Sequence, residues 1–442
     1  MSETRPPRWA IVGGGILGMT LALRLAERGE RVTLYEAADH PGGLADAWRL
    51  GDVRWDRHYH VILLSDERTR GLLTELGLEQ ELKWVTTKTG FFTDGRLHSL
   101  SSSWEFLRFP PLRLLDKLRL AGTILLASKI RDPLPLEKIP VADWLRKWSG
   151  ARTFEKIWLP LLRAKLGENY RQTSAAFIWS TIARMYKARR TGMKRELFGY
   201  LPGGYGRILD TFEAKLRAAG VELRCDHIAT RIQREDGQFA LQFREKPGAT
   251  ADRVVVTTPC NIVANLCSQL APDERERLLG AEYQGIVCAS LLLKRPLSPY
   301  YVTNITDAGL PFTAVIEMTS LVDAAEFGER SLVYLPKYVP TGDPLLTASD
   351  EAIREAFLAG LRRMHPPLTD DDVLAFGVSR VPQVVALPTL NWSQRLPRVL
   401  TSIPGLFVVN SAQIVDGTLN VNESVRLAEQ ALPTLLPAEV AR

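Results

Sequence analysis

Cysteine is scarce in this chain, and its few thiols form no recognisable pattern. The 442 residues include 4 cysteines and 6 histidines, with no CxxC pair and no metal-ligand spacing between the two residue types. So few thiols in so long a chain argue against a disulfide framework and favour a reducing compartment. The sequence therefore predicts no metal site.

Long apolar runs and a targeting segment are missing as well. No apolar stretch approaches the roughly 18 residues that a membrane-spanning helix needs. Residues 1–8 are polar and proline-rich, without a signal-peptide pattern, which predicts a cytoplasmic protein. The apolar content of 45% is that of an ordinary globular protein, and a chain of this length suggests two or three domains.

A glycine-rich turn stands in an informative setting near the start of the chain. The apolar run 9–12 leads into Gly13-x-Gly15-x-x-Gly18, then a helical pattern, then a second apolar run, 32–35, that ends on Glu36. Glycine-rich turns alone are common, but here strand, turn, helix, second strand and terminal acid all fall in register. This order predicts a dinucleotide-binding unit.

Each residue of that unit has a mechanical reason. Gly13 permits the tight turn, and Gly15 has no Cβ to hold a pyrophosphate away from the backbone. Gly18 lets the helix pack closely on the sheet, so that the N–H groups of its first turn point at the phosphates. Glu36 is placed to accept hydrogen bonds from a ribose hydroxyl.

A second glycine pair makes the resemblance specific. Gly42-Gly43 follows shortly after Glu36 and resembles the second fingerprint of the large FAD-dependent superfamily that holds flavin amine oxidases, protoporphyrinogen oxidases and carotenoid desaturases. That loop usually continues with an arginine near the flavin phosphates. This chain has Leu44 instead, so the contact must come from elsewhere or be missing. A later Asp-x-Gly segment of the family is represented by Asp56, with Arg57 where glycine is expected.

The resemblance returns in family order along nearly the full chain. It implies an α/β fold in which a discontinuous Rossmann-like FAD-binding domain, of the GR2 or amine-oxidase-like type, is interleaved with an α+β substrate domain. We expect the FAD-binding domain at residues 1–92, 197–275 and 377–442. The substrate domain is then 93–196 and 276–376, with 100–196 as its helical part.

The resemblance also implies FAD as cofactor and a set of residues that contact it. Ala229 matches the strand whose backbone pairs with the adenine ring, and Asn410 replaces an acid that faces the ribityl–pyrophosphate region. A closing helix after residue 417 would place its positive end near the flavin carbonyls. The predicted cofactor-binding residues are Gly13, Gly15, Ile16, Leu17, Gly18, Glu36, Ala37, Gly42, Gly43, Leu44, Arg57, His58, Ala229, Asn410, Asn420 and Val421.

Residues 55–60 read Trp-Asp-Arg-His-Tyr-His, which is a dense cluster of donors, acceptors and groups that titrate near neutral pH. If the segment is a strand, His58 and His60 share one face, and Arg57 and Tyr59 share the other. It is then either a surface strand or the flavin-adjacent edge of an active site, where the superfamily places this segment. We take His58, Tyr59 and His60 as the candidate catalytic residues.

The match to amine oxidases weakens in the substrate domain. Those enzymes hold a water near the flavin with a lysine, and our alignment puts Cys288 at that position, which argues against a monoamine-oxidase-like enzyme. The segment 380–388 is more similar to protoporphyrinogen oxidases and desaturases. Candidate cavity-lining residues are Phe312, Glu317, Thr319, Tyr334, Lys337 and Tyr338.

The net charge of +6 is unevenly distributed along the chain. Residues 104–131 are apolar and basic, which fits a helical cap over the substrate cavity or an amphipathic helix that touches a membrane surface. A second basic cluster, 184–195, fits a solvated face, a contact with a phosphate-bearing substrate or a membrane contact. Nothing else supports nucleic-acid binding.

Three functions remain open at this point. The leading hypothesis is an FAD-dependent oxidoreductase that moves hydride from a C–H bond, next to a heteroatom or unsaturation, to flavin N5. Its substrate would be a small molecule, lipophilic or phosphate-bearing. The second is a non-redox flavin enzyme resembling UDP-galactopyranose mutases, acting on a nucleotide sugar and favoured by the His-Tyr-His segment. The third is a non-catalytic escort-type binding protein of the same fold, favoured only by Leu44 and Asn410.

Overall fold

The computed structural model describes residues 6–189, 197–415 and 418–436. Its strands are Arg8–Val12, Arg31–Tyr35, Ala47–Leu50, Val53–Asp56, Ile62–Leu63, Lys83–Thr86, Thr89–Thr93, Arg96–Ser99, Leu197–Tyr200, Glu222–Arg224, Ala229–Glu235, Gln238–Phe243, Lys246–Ala251, Arg253–Val256, Tyr283–Leu293, Val302–Ile305, Ala314–Glu317, Ser331–Pro340, Val373–Ala386 and Leu406–Val408. Its α-helices are Ile16–Ala26, Glu67–Glu75, Ser103–Arg108, Leu114–Lys129, Val141–Ser149, Ala151–Thr153, Leu159–Leu166, Ala175–Arg189, Gly204–Ala218, Cys260–Leu266, Pro272–Leu279, Asp350–Met364, Trp392–Arg395 and Val421–Leu435.

A parallel sheet forms the nucleotide-binding core. Its five strands within the described residues run in the order 222–224, 31–35, 8–12, 253–256 and 406–408. Parallel strands buried on both faces read as continuous apolar runs, which is why this core was legible in the sequence. The helices Ile16–Ala26, Gly204–Ala218 and Val421–Leu435 cover one face of the sheet. The antiparallel strands between 229 and 251 and the helix Cys260–Leu266 cover the other.

A larger mixed sheet carries the second half of the structure. Tyr283–Leu293 lies inside it, paired antiparallel with Ser331–Pro340 on one side and Val373–Ala386 on the other. Side chains alternate along a strand, so the sheet has two distinct faces. One face packs on the helix Asp350–Met364, and the other meets residues around the strand Val53–Asp56. This second face is called the inner face below.

The region between 103 and 189 is helical, as predicted. Trp144 and Trp179 lie in its core beside Phe154, as expected for a tryptophan-rich helical layer, whereas Trp148 is exposed. The buried carboxylate of Asp66 joins this layer to the first part of the chain, because it accepts hydrogen bonds from the Arg184 guanidinium at 2.9 and 3.1 Å. Part of the basic cluster predicted at 184–195, residues 190–195, lies outside the described residues.

The predicted domain limits can be placed on these elements. The limit at 92/93 falls in the strand Thr89–Thr93, and the limit at 376/377 falls in the strand Val373–Ala386. Both strands belong to the mixed sheet. We keep the division into two interleaved domains as a proposal, with limits that belong at the ends of these strands.

Candidate functional site

Two glycine turns lie against each other at the carboxyl ends of the parallel strands. Gly42 donates its N–H to the Gly14 carbonyl at 2.9 Å, and a Cβ built on Gly43 would lie 3.0 Å from the Gly15 Cα. A Cβ on Gly15 would meet only Gly43, at 3.9 Å. The two turns therefore form an open cradle of bare backbone, which suits a pyrophosphate. Residues with side chains in place of these glycines would fill it.

The first helix begins directly at this cradle. Gly15 is its N-cap and has no side chain to bond the first turn, so the N–H groups of that turn remain available to an anion. The side chains of Ile16 and Leu17 are buried, which leaves only their backbone to contact a cofactor. Gly18 has a packing role, since a Cβ there would lie 1.9 Å from the Gly13 carbonyl oxygen.

Glu36 lies at the end of the second strand, beside the turn. Its carboxylate accepts hydrogen bonds from the N–H of Gly14 at 2.6 Å and of Ala38 at 2.9 Å, which fixes it next to the cradle, with Ala37 between the two loops. The His227 N–H bonds the Glu36 carbonyl at 2.8 Å and brings the start of the strand Ala229–Glu235 close. The predicted ribose and adenine residues are thus neighbours in space.

An ionic cluster supports the second glycine turn. Asp46 is buried, and its carboxylate bonds the Arg57 guanidinium at 2.7 Å and the His40 imidazole at 2.5 Å. The hydrogen bond to Asp46 raises the pKa of His40 above its usual value. Asp46 therefore links Arg57 to the loop of Gly43 and Leu44, where the family arginine is missing. Sequence reasoning overlooked Asp46, because a single aspartate in a loop carries no signal.

The condition considered for residues 55–60, that the whole segment is a strand, is not met beyond Asp56. The strand ends at Asp56, and the irregular backbone that follows sends the three candidate side chains to different neighbours. His58 Nε2 lies 3.1 Å from the Ser379 hydroxyl, the Tyr59 hydroxyl lies 3.0 Å from that of Tyr338, and the His60 ring lies 4.8 Å from the Tyr205 ring. The side chains are buried or half-buried, so this is not a surface strand.

Both histidines are neutral at physiological pH, contrary to the expectation of a group titrating there. Desolvation by burial lowers the pKa of His58 to about 4 and that of His60 to about 3. His60 Nδ1 is buried and has no hydrogen-bond partner in the described chain. Neutral imidazoles each offer one donor and one acceptor, so they can orient a substrate without a change of charge.

Asp56 is the anchor of this segment, and its place depends on a residue far along the chain. Its carboxyl oxygen accepts the Tyr205 N–H at 2.7 Å, at the start of the helix Gly204–Ala218. Its other oxygen lies 3.9 Å from His60 Nδ1. Burial raises the pKa of Asp56 to about 8, so the carboxyl is mostly protonated at neutral pH.

The pH dependence of stability offers a direct check on His58. Because its folded pKa is about 4 and the unfolded value is about 6.5, the unfolded chain takes up a proton that the folded site does not. Because of this difference, the folded state has its full stability above about pH 6.5 and loses part of it as the pH falls toward 4. Between about pH 7 and about pH 5, we expect the free energy of unfolding of His58→Gln to fall by about 2 kcal/mol less than that of the wild type.

The measurement is urea unfolding of both proteins at the two pH values. A constant cost of the substitution cancels in the difference, so only the titration is read. Equal losses in both proteins would show that His58 titrates normally in the folded state.

The Asn410 side chain forms its hydrogen bonds within the protein. It is fully buried, its oxygen accepts the Ala412 N–H at 3.1 Å, and its nitrogen donates to the Thr258 carbonyl at 3.0 Å. Cys260 Sγ lies 3.4 Å from the same nitrogen. The amide is used within the protein, because it caps the turn after the strand Leu406–Val408. Its predicted hydrogen bond to the ribityl–pyrophosphate region stays a prediction.

The closing helix begins where the sequence predicts. Asn420 is its N-cap, with a side-chain oxygen that accepts the Glu423 N–H at 3.1 Å, and Val421 is its first residue. The helix packs beside Ile16–Ala26 over the same face of the parallel sheet. Its contact with FAD stays a prediction.

The candidate lining residues of the mixed sheet separate into two groups. Tyr334 and Tyr338 lie on the inner face with Cys288, and the Tyr334 hydroxyl donates to the Asp56 carbonyl at 2.5 Å. Phe312 belongs to the core under the opposite face. Lys337 and Glu317 are also not on the inner face, because they pair with Val287 and Val333, which belong to the core under the opposite face. Thr319 bonds Glu317.

Comparison with known proteins decides the family. The sequence model of flavin-containing amine oxidoreductases matches residues 18–420. The chain belongs to this family. It is 24% identical to the zeta-carotene desaturase of Synechocystis sp. over 96% of this chain and 97% of that protein. Its fold is similar to that of a protoporphyrinogen oxidase-like protein from Exiguobacterium sp. 255-15, with a TM-score of 0.78, 21% identity and coverage of 98% and 99%.

The mutase alternative has a narrower basis. A reduced UDP-galactopyranose mutase superposes with a TM-score of 0.75, at 15% identity and over 98% of this chain and 94% of that one. An identity this low shows the shared fold and nothing about the reaction. The fold class and the FAD cofactor predicted from the sequence are confirmed by the family.

This family member is an FAD-dependent oxidoreductase with a small-molecule substrate. The glycine cradle, the uncapped helix start and Glu36 fit the nucleotide part of FAD. Without a Cβ on Gly15 or Gly43, the cradle has room for the pyrophosphate. Family membership makes the chain an enzyme and sets aside the escort-type reading. Within the described ranges, no helix has both the length and the apolar character needed to cross a bilayer.

Proposed function

We propose that this enzyme removes hydride from a C–H bond next to a heteroatom or an unsaturated carbon, at a site where His58, Tyr59 and His60 position the substrate. Bound FAD supplies the hydride acceptor. The cradle of Gly15 and Gly43 and the carboxylate of Glu36 would hold its nucleotide part. The residues named here act by orientation, hydrogen bonding and exclusion of water.

The observation that carries this proposal is the meeting of segment 56–60 with the inner face of the mixed sheet. Two polar contacts, His58–Ser379 and Tyr59–Tyr338, join the sequence-predicted residues to a strand and a phenol more than 270 positions away. Such convergence of polar groups on an otherwise apolar face is typical of a ligand site. Cys288 lies on this face with burial raising the pKa of its thiol, so it offers no base.

Flavin reduction in single turnover tests the assignment. We expect His60→Phe to slow anaerobic flavin reduction roughly tenfold or more, because it deletes the unpaired Nδ1 and keeps an aromatic ring beside Tyr205. Tyr59→Phe should change the apparent substrate affinity more than the reduction rate. Because the substrate is unassigned, amines, porphyrinogens and polyenes are screened first by bleaching of the wild-type flavin. Unchanged reduction in His58, Tyr59 and His60 variants would remove this site.

We also infer that residues 104–131 contact a lipid surface, which favours a lipophilic substrate. The helices Ser103–Arg108 and Leu114–Lys129 expose Trp104 (60%), Leu114 (64%), Leu115 (66%) and Leu118 (61%). An exposed apolar group of this size marks an interaction surface. The Arg108 guanidinium lies over the Trp104 ring at 4.3 Å, a combination suited to the headgroup level of an anionic membrane.

Vesicle binding tests this inference with a matched control. We expect Leu115→Glu with Leu118→Glu to weaken co-sedimentation with anionic phospholipid vesicles at least about tenfold, because each leucine would otherwise bury apolar area. The control carries Leu279→Glu and Leu400→Glu, which are similarly exposed (55% and 57%) and lie outside residues 104–131. Equal binding of the two double variants would contradict the membrane contact and leave the helical cap as the interpretation.

A further inference from the structure

One end of the inner face is open to solvent although it faces another layer of the protein. Tyr59, Tyr338, Val381 and Val384 pack against a hydrophobic cluster, yet each is only half-buried. Apolar and aromatic side chains between two packed layers are normally buried. Their partial exposure indicates space between the sheet and the helix Leu159–Leu166, which contacts the strand Ser331–Pro340.

A cation borders this space. Lys165 lies on that helix and is half-buried, with its ammonium nitrogen 5.3 Å from the centre of the Tyr338 ring. Nearby cations have acidic partners: Arg163 and Arg171 both bond Glu168, at 2.9 and 3.1 Å. Among the ion pairs of the described residues, none includes Lys165. It is a positive charge in a partly desolvated position without a counter-ion.

A second unsatisfied group lies at the same end. Gln284 is fully buried, and neither its amide nitrogen nor its amide oxygen has a partner in the described chain. Its nitrogen lies 4.0 Å from the position that a Cβ would take on Gly167, two residues beyond Lys165. Leaving a buried amide unpaired is costly. The ammonium without a counter-ion therefore points to a ligand that accepts hydrogen bonds here, at the same end of the face as the unsatisfied amide.

We propose that Lys165 binds a carboxylate of the substrate, with the Tyr59–Tyr338 hydroxyl pair beside it, so that the enzyme selects lipophilic monoanions. This inference rests on the proposed function, since it assumes that the reacting carbon lies toward His58 and His60. One lysine without an arginine fork or a helix N-terminus matches a single negative charge better than a phosphate dianion. Lys165 is thus a specificity-determining residue.

Three ligands that differ only in head-group charge test the proposal. Octanoate, octanamide and octylamine share one chain length and carry a negative, neutral and positive head group, and their binding to the holoenzyme is measured by calorimetry below their micelle concentrations. We expect octanoate to bind most tightly. Lys165→Met should weaken octanoate roughly tenfold and leave octanamide unchanged, because a charge-assisted hydrogen bond is lost. Lys165→Arg should retain most of the affinity.

Lys337→Met is the matched control, because Lys337 precedes Tyr338 and pairs with Val287 toward the opposite face. Octanoate that binds wild type and Lys165→Met equally, or octanamide that binds as well as octanoate, overturns the proposal. So does a failure of wild type to bind octanoate. Calorimetry does not require flavin chemistry, so a holoenzyme that is reduced by a substrate but ignores octanoate disproves this inference alone. Octanoate binding without any substrate-driven flavin reduction would count against the proposed function instead.

Discussion

Gly15→Ala is expected to weaken FAD binding roughly a hundredfold or more while the fold stays intact. The backbone of Gly15 is extended, at φ −70° and ψ 174°, a conformation that alanine adopts freely. The added Cβ would meet only Gly43, at an ordinary 3.9 Å, so the substitution introduces no clash in the apoprotein. In the loaded protein the same methyl occupies the space that the pyrophosphate needs.

Binding of FAD to the apoprotein, followed by quenching of flavin fluorescence, measures the effect. Gly71→Ala is the control, since Gly71 lies in a helix with nothing within 4 Å of an added Cβ. Gly18→Ala gives the opposite contrast: its Cβ would clash with the Gly13 carbonyl, so it should destabilise the fold by about 3 kcal/mol. Wild-type FAD affinity in Gly15→Ala would refute the placement of the pyrophosphate.

Asp56→Ala is expected to cost about 3 kcal/mol of stability and to slow flavin reduction strongly. The substitution leaves the Tyr205 and Gly206 N–H groups unpaired in a buried place, and it releases the segment that carries His58 and His60. Asp56→Asn should cost less than about 1 kcal/mol, because burial raises the pKa of Asp56 to about 8 and an amide resembles the neutral acid.

Urea unfolding at neutral pH compares the two variants. Asp210→Ala is the control, because Asp210 lies on the helix that contains Tyr205. Its ion pair with Arg54 is exposed, and such pairs contribute little to stability. If Asp56→Asn loses as much stability as Asp56→Ala, the carboxyl is ionised in the folded protein. The account of Asp56 as a neutral anchor would then be wrong.

The sequence was sufficient for the nucleotide-binding core because its signals are local. The turn from Gly13 to Gly18 and the acid Glu36 lie within one strand–helix–strand unit, and every residue there obeys a backbone rule. The closing helix, expected after residue 417 from the family resemblance, begins at Val421. The second glycine turn, Gly42–Gly43, was located by the resemblance to the FAD-dependent superfamily.

The candidate site was less predictable because contacts distant in sequence determine it. Asp56 is held by Tyr205, and His58 by Ser379, at separations of 149 and 321 residues. No spacing rule reaches so far. The two-face arrangement considered for 55–60 does not occur, because the strand ends at Asp56. The internal cap formed by the Asn410 side chain was likewise not predictable from the sequence.

The most direct test of the central claim is an anaerobic titration of the purified holoenzyme with candidate substrates, followed by the visible absorption of the flavin. The account predicts that released cofactor is FAD, that an organic substrate bleaches the bound flavin in proportion to product formed, and that an oxidant restores the colour. A protein that converts its substrate only after dithionite reduction, with no net bleaching by substrate, would contradict it and select the mutase-type reaction.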